Sequence, residues 1–581
     1  MPSAPPAIGR ISTFSAFAQK IMRDGKIIDD HETPEDMVER VADIALIDSG
    51  WQRSDVRFRD DIAAILHGKK FVPSTPILTN ANRHTDRPLS ACAVPPISLR
   101  SDLASIKRTI DSYHVQGMGT GFNFDEVDDP ITMLRYLNDV AIEGAKSGNE
   151  DRPVGNMGVV SVYHPRIHEF IGAKLDRSHE WKFNVSVNID DAFMEAVFAD
   201  LTVELRDGRS VSANVLFEEI ASAARECGDP GLVFIGRMNR DNPTPLLGEY
   251  VSTAPCGEVG LAAGETCQFG SVNLGTMVRL DARGEAEIDY DELRRVTGLI
   301  VRYLDTALDF SLSRYSSPES TKIMSSKRKI GVGICGFADM LIRLGIPYDS
   351  PAARTLAEDL MSAVNFCSKE ESIRLAQNRG AFLHFALSQH VADPSFIQRR
   401  YSPNPTGIVS ANDWNALDAT AKRSGMRNAV TTALPPTGRS SLVFDCSQQI
   451  EPIFRLTTFG DDVRRDFREA LCSRHGKGAD VLLEEAKSMG HCADMDIDRS
   501  IKTVFKTATM ISPVDHLDMA ASFQRHTDES VSKTINLPAN VGVGDIVDIY
   551  KRAYIANLKG ITIYRDSSHD AQPVLLSQKK S

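Results

Sequence analysis

A chain of 581 residues with 42% hydrophobic, 25% charged and 7% aromatic side chains has the usage of an ordinary globular protein with a sizeable core, which argues against the disordered, fibrous and membrane-embedded classes. A formal charge of −12 argues against nucleic acid or an anionic membrane as partner, while leaving room for a local basic pocket for a phosphorylated small molecule. Nine cysteines without CxxC spacing indicate reduced thiols rather than a zinc ribbon or a secreted disulfide scaffold.

The N-terminal MPSAPPAIGRISTFSAF has no leader pattern, and no stretch approaches the roughly 20 apolar residues of a spanning helix, so the expectation is a cytoplasmic protein without a membrane partner. From Glu32 to about Lys70 the spacing predicts helix: Val38, Val41, Ala42, Ala45 and Leu46 recur on one face, and Thr33 before Pro34-Glu35-Asp36 is a candidate N-cap. Beyond Phe71, strand-length apolar runs (FNFDEV, MGVVSVY, FNVSVNI, GLVFIG) alternate with helical patterns at Asp289–Leu312 and Pro351–Ala376, which reads as α/β. The partition is a helical N-terminal segment 1–70, one catalytic domain 71–568 and a loose polar tail 569–581.

Gly and Pro clusters punctuate the strand ends, where α/β proteins place their chemistry. Cys92 stands in LSACAVPPI, after the turn-rich PSTPILTNANR. Three glycines in QGMGTGFNF fit a close backbone approach, either to a nucleotide or to a crossing strand. In HPRIHE, His164 and His168 are four apart, but Pro165 intervenes and no third ligand is placed, so no metal is expected. In VSTAPCGEVGL, Cys256 and Glu258 are two apart. On an extended segment they would offer a thiol and a carboxylate to one face, and on a turn they would be a buried thiol and a solvated acid. Cys267 follows in TCQFGSVNL. In LPPTGRSSLVF, Pro436, Thr437, Gly438, Arg439, Ser440 and Ser441 give a Pro-Pro stop, hydroxyls, open N–H groups and a guanidinium at a helix start. These are the ingredients of a phosphate site, though the P-loop ending is absent.

The ordered series PSTPILTNA, LSAC, GTGFNF, RPVGNMGVVSVYHPRIHEFIGAK, FNVSVNI, GDPGLVF, PCGE, TCQFGSVNL, KRKIGVGICGFADML, PPTGRSSLVF, QQIEPIF, SKTINLP and KGITIYRDSS resembles the catalytic subunit of ribonucleotide reductases, specifically the adenosylcobalamin-dependent class. The resemblance implies a ten-stranded α/β barrel with a central finger loop. It implies that Cys256 becomes a thiyl radical that takes the ribose 3′ hydrogen and that Glu258 takes the 3′-hydroxyl proton. It makes Cys92 and Cys267 the dithiol that protonates the departing 2′-hydroxyl and supplies two electrons. It places substrate at Thr75, Ala91 and Gly119, largely through backbone, and its phosphates at Thr437–Ser441. Relatives using a separate metal subunit carry an adjacent Tyr-Tyr pair near the C-terminus. Here Tyr564 is followed by Arg565, which favours adenosylcobalamin as cofactor. Partners are then a ribonucleotide and an external thiol reductant such as thioredoxin or glutaredoxin, with the chain a monomer or homodimer.

Two departures stand out. Ala254 occupies the position of the family's Asn, and with Cys492 the last cysteine no counterpart of the family's C-terminal cysteine pair is expected. No nucleotide-binding cone is expected before the helical segment, and the stretch after Phe124 lacks the glycine-rich effector loop of many relatives. Ala254 and the absent cysteine pair motivate one alternative to reduction, a radical epimerase or eliminase acting on a nucleotide; a nucleotide-binding relative without catalysis is a third reading, against which stands the presence of Cys92, Cys256, Glu258 and Cys267.

Overall fold

A computed structural model describes residues 13–47, 56–83, 85–146, 154–176, 178–401, 406–457 and 462–566. The 569–581 tail and the first residues of the N-terminal segment lie outside them. Helix α1 (Ala16–Asp24) is capped by the Ser15 hydroxyl, a start that the spacing did not predict. At α2 (Pro34–Ala42) the predicted cap is in place as a reciprocal box: Thr33 accepts from the Asp36 N–H, and the Asp36 carboxylate accepts from the Thr33 N–H. A short 3-10 turn over Asp43–Ile47 ends the helical stripe early, leaving Leu46 on the surface, and α3 (Val56–His67) follows.

Twelve strands frame the site: β1 (Phe71–Pro73), β2 (Cys92–Ala93), β3 (Gly119–Asn123), β4 (Asn156–Ser161), β5 (Phe183–Asn188), β6 (Gly231–Val233), β7 (Ser252–Thr253), β8 (Gly260–Leu261), β9 (Phe269–Asn273), β10 (Gly331–Cys335), β11 (Thr534–Leu537) and β12 (Gly560–Arg565). Seven pair in the order β11-β12-β6-β5-β4-β3-β2, parallel except at β12–β6. Three more pair as β1-β9-β10, with β1 antiparallel and β10 parallel to β9. Single bridges at Ala93↔Thr266, Val332↔Thr432 and Leu434↔Val531 link segments of the two sheets. Every residue of β4 is buried, as a run covered on both faces requires.

One long helix backs the smaller sheet and a second packs on the first. α4 (Tyr290–Leu312), capped by Asp289, and α5 (Pro351–Arg379), capped by Ser350, span the predicted helical stretches and pack against each other. The N-terminal helices are sewn to this body: the Tyr303 hydroxyl donates to Val41 O at 2.9 Å, and the Arg302 guanidinium lies 3.7 Å from the centre of the Phe58 ring. The predicted helix start in LPPTGRSSLVF is α6 (Gly438–Val443), and α1 packs on it, with Phe14 edge-on to Phe444 at 5.7 Å.

Candidate active site

Strands β7 and β8 form a hairpin in register Thr253↔Gly260 and Ser252↔Leu261, and its tip is Ala254–Val259. The Ala254 N–H donates to Val259 O at 3.0 Å and the Gly257 N–H to Ala254 O at 2.9 Å. Gly257 takes φ +75°, the left-handed conformation a glycine adopts without penalty. The segment is therefore a turn, and the shared face expected of an extended Cys256–Glu258 pair does not form. Cys256 is exposed at the tip, while Glu258 folds inward and is only 3% exposed. The turn thus reverses the burial a bland reading expects of a thiol and an acid. Burial raises the Glu258 carboxyl to about 7, against the lowering effect of the backbone N–H groups of Glu258 and Cys256. Ala254 is fully buried in an apolar cluster with Ala91, Cys92, Val259, Leu261 and Cys267.

The glycines of QGMGTGFNF explain how the hairpin reaches the sheet. A Cβ on Gly121 would lie 2.1 Å from Thr253 O, and one on Gly119 would lie 2.9 Å from Pro255 Cγ and 3.6 Å from Cys92 Sγ. Of the two readings open in the sequence, the crossing strand is the one these contacts describe. Further bonds hold the hairpin: Ser252 Oγ donates to Phe122 O at 3.2 Å, Asn184 Nδ2 to Pro255 O at 2.8 Å, and the Ser530 N–H to Glu258 O at 3.0 Å. At its base Glu529 accepts from the Tyr250 hydroxyl at 2.9 Å and the Gly260 N–H at 3.2 Å. Lys329 pairs with Glu529 at 2.9 Å and donates to Gly260 O at 2.6 Å. Buried charges are thereby paired as they must be.

The Ala93↔Thr266 bridge is antiparallel, so Cys92 and Cys267 stand directly opposite each other. The Cys267 N–H donates to Cys92 O at 3.0 Å, and the Ala91 N–H to Cys267 O at 3.3 Å. Opposed residues of an antiparallel pair bring their Cβ atoms to roughly 4.5–5.5 Å, close to what a disulfide spans. Behind them, Tyr315 braces both segments: its hydroxyl is 2.7 Å from Ser90 Oγ and 2.9 Å from Thr266 Oγ1. Burial pushes that phenol up to about 12, so at neutral pH it remains a neutral hydrogen-bonding group.

Thr75 is brought to the phosphate-type segment, with its hydroxyl 3.2 Å from Ser440 Oγ. Thr437 Oγ1 accepts from the Gln449 N–H at 2.9 Å, and Ser441 Oγ donates to Gly438 O at 2.8 Å. Arg439 has a partner outside the phosphate-type segment. Its guanidinium reaches Gly25 O at 3.5 Å and packs on Gly25, in the turn after α1. At Ala91 and Gly119 the N–H groups are committed within the sheet, Gly119 donating to Ala91 O at 2.9 Å. A cavity of ≈ 310 Å³ opens at the hairpin tip and is lined by Cys256, Gly257, Pro436, Asn184, Ser532 and Tyr564, among others. His164 and His168 are engaged separately, one 3.0 Å from Val127 O and the other 2.6 Å from Glu219. Sequence reasoning missed Asn184, Ser530 and Tyr315. Asn184 had one available signal: it is a polar residue in FNVSVNI, a run that otherwise reads as a covered strand.

The family model described as ribonucleotide reductase, barrel domain, matches residues 118–564. The chain belongs to the ribonucleotide reductase family. It is 35% identical over 551 residues to the vitamin B12-dependent ribonucleoside-diphosphate reductase of Mycobacterium tuberculosis, covering 89% of this chain and 73% of that one. The Thermoplasma acidophilum protein of the same name is 33% identical over 539 residues, covering 87% and 65%. The ribonucleoside-diphosphate reductase large chain of Neurospora crassa is 24% identical over 621 residues, covering 95% and 64%.

Proposed function

We propose that this protein reduces ribonucleotides to 2′-deoxyribonucleotides by thiyl-radical chemistry, with ribonucleoside diphosphates as the class named for its relatives. The observation that carries the reading is the direct opposition of Cys92 and Cys267 beside a loop that presents Cys256 and hides Glu258. The Cys256 thiyl takes the hydrogen from C3′, and Glu258 as carboxylate accepts the 3′-hydroxyl proton. The 2′ oxygen leaves as water on receiving a proton from the dithiol. Two electrons from Cys92 and Cys267 reduce the ribose and leave a disulfide between them, and the hydrogen returned from Cys256 to C3′ regenerates the thiyl. An external dithiol such as thioredoxin or glutaredoxin would re-reduce that disulfide. Thr75, Thr437, Gly438, Ser440 and Ser441 would hold the substrate.

The names of the relatives point to vitamin B12, and an exposed thiol at the mouth of a cavity suits a bulky group approaching from outside. Asn184, Pro436, Ser532 and Tyr564 would face it. When bound, adenosylcobalamin supplies the radical through homolysis of its cobalt–carbon bond. The same reading takes the seven- and three-stranded sheets as parts of one ten-stranded α/β barrel around the finger loop, a closure supported by the bridges at Thr266, Thr432 and Val531.

The test is product analysis with adenosylcobalamin, dithiothreitol and each common ribonucleotide. A 2′-deoxyribonucleotide is expected, absent in Cys256→Ser and in Cys92→Ser. A different nucleotide product, which an epimerase or eliminase would give, would overturn the assignment.

A further inference from the structure

Beyond the Cys92–Cys267 pair, two other thiols meet. Cys335 ends β10, fully buried, and Cys446 is half-buried in the turn after α6. Their sulfurs are 3.6 Å apart. That turn is a junction. The Cys446 N–H donates to Ser441 O at 3.0 Å, and the Gln449 N–H donates to Thr437 Oγ1 at 2.9 Å, so both ends of the proposed phosphate segment hang on it. The Ser447 N–H donates to Asp339 at 2.6 Å, and Ser447 O accepts from the Gly336 N–H at 2.8 Å, fixing it to the chain just past Cys335. Asp445, at φ +52°, takes Lys69 at 2.6 Å and the Ser15 hydroxyl at 2.5 Å, adding the N-terminal segment.

We propose that Cys335 and Cys446 form a second redox-active dithiol, which a small disulfide such as oxidised glutathione oxidises, and that the resulting bond alters ribonucleotide binding at Thr437–Ser441. The second half rests on the substrate reading above. Cys446, the more exposed of the two, loses its proton to solvent and attacks the small disulfide, forming a mixed disulfide and expelling one thiolate, which takes up a proton. Cys335 then gives up its proton and attacks the Cys446 sulfur, closing the protein bond and expelling the second thiol. Two protein thiols are oxidised and one small disulfide is reduced to two thiols, so electrons and protons balance. Closing the sulfurs to about 2.05 Å draws them together by roughly 1.5 Å. Since Cys335 is fully buried at the end of β10, the movement falls on the turn and on the two bonds that reach Ser441 and Thr437. The contact with Cys335, burial, and the carboxylates of Asp339 and Asp445 hold the Cys446 thiol above its ordinary range, so Cys446 rests protonated.

The experiment uses the full chain carrying Cys92→Ser, so that the other dithiol cannot close, treated with oxidised glutathione in the absence of reductant. Peptide mass analysis is expected to find the Cys335 and Cys446 peptides joined, and ribonucleoside diphosphate affinity is expected to fall roughly threefold to tenfold, as a shift of about 1 Å in a positioned site can bring. Both changes should reverse with dithiothreitol and be absent when Cys335→Ala or Cys446→Ser is added. No joined peptide, or glutathione retained on Cys446, would overturn the proposal, as would a joined peptide with unchanged nucleotide affinity. A reduced protein that binds no ribonucleotide would instead count against the substrate reading and leave the joined peptide to decide the dithiol.

Discussion

Glu258 carries the sharpest conflict between stability and chemistry in the site. A carboxyl buried to 3% exposure and raised from 4.5 to about 7 is more easily protonated in the folded chain than in the unfolded one. Its contribution is therefore fully favourable below the unfolded value, and is lost as pH rises through about 7. Glu258→Gln should accordingly unfold at higher denaturant than wild type at pH 8, by on the order of 3 kcal/mol, with the difference vanishing near pH 4. The same titration governs activity with the opposite sign, because only the carboxylate accepts a proton. Turnover should climb as pH rises through about 7, and the Gln variant should have none. An advantage of the variant over wild type that is no larger at pH 8 than at pH 4 would show that the carboxyl is not held as described. That Cys256 and Glu258 are candidates for one site was legible from residue types and flanking motifs. That they part company at the turn was not, because alternation assumes a strand and Gly257 breaks it.

At the scale of elements, the finger hairpin is positioned by what its neighbours omit and by one amide. Gly121 has room for nothing larger, and Asn184 on β5 donates to Pro255 O beside Cys256. Asn184→Ala removes one neutral hydrogen bond, worth about 1 kcal/mol, so the fold should survive. Because the bond fixes the residue next to Cys256, kcat is expected to fall roughly tenfold or more while the substrate KM changes little. An unchanged kcat would show that the tip is held without it. The glycines at 119 and 121 were visible as a close-approach signal, but which neighbour they admit depends on a hairpin more than a hundred residues later. Tyr315 shows the same limit: its ties to Ser90 and Thr266 join three distant segments, and local sequence carries no trace of such a contact.

At the scale of the molecule, a buried charge cluster locks the C-terminal half to the body. Asp528 receives Lys369 at 2.7 Å and the N–H groups of Thr431 and Thr432 at 2.9 and 3.1 Å, and Lys559 reaches its carbonyl at 2.7 Å. The Lys369 ammonium and the neighbouring Arg400 hold that carboxyl far below the usual range even though burial opposes it. Its stabilisation is thus present above the unfolded carboxylate value, near 4, and is lost as pH falls below it. Asp528→Ala strands a buried cation and should cost about 3–5 kcal/mol, seen as a lower denaturation midpoint at pH 7. A midpoint equal to wild type would mean that the cluster does not hold the fold.

The α/β alternation, the long helices and the two thiol-bearing segments could all be read from the chain, since period and punctuation are local. The pairing order of the strands, the seat of the hairpin and the contact of Arg439 with Gly25 could not, since each is settled by packing between distant segments. The proposed chemistry turns on Cys256 taking the hydrogen at C3′. Single-turnover rates with adenosylcobalamin should be compared for ribonucleotide carrying deuterium at C3′ and for unlabelled substrate. Slower formation of deoxyribonucleotide from the labelled substrate is predicted, with no turnover of either by Cys256→Ser. Equal rates, or turnover that survives the substitution, would contradict it.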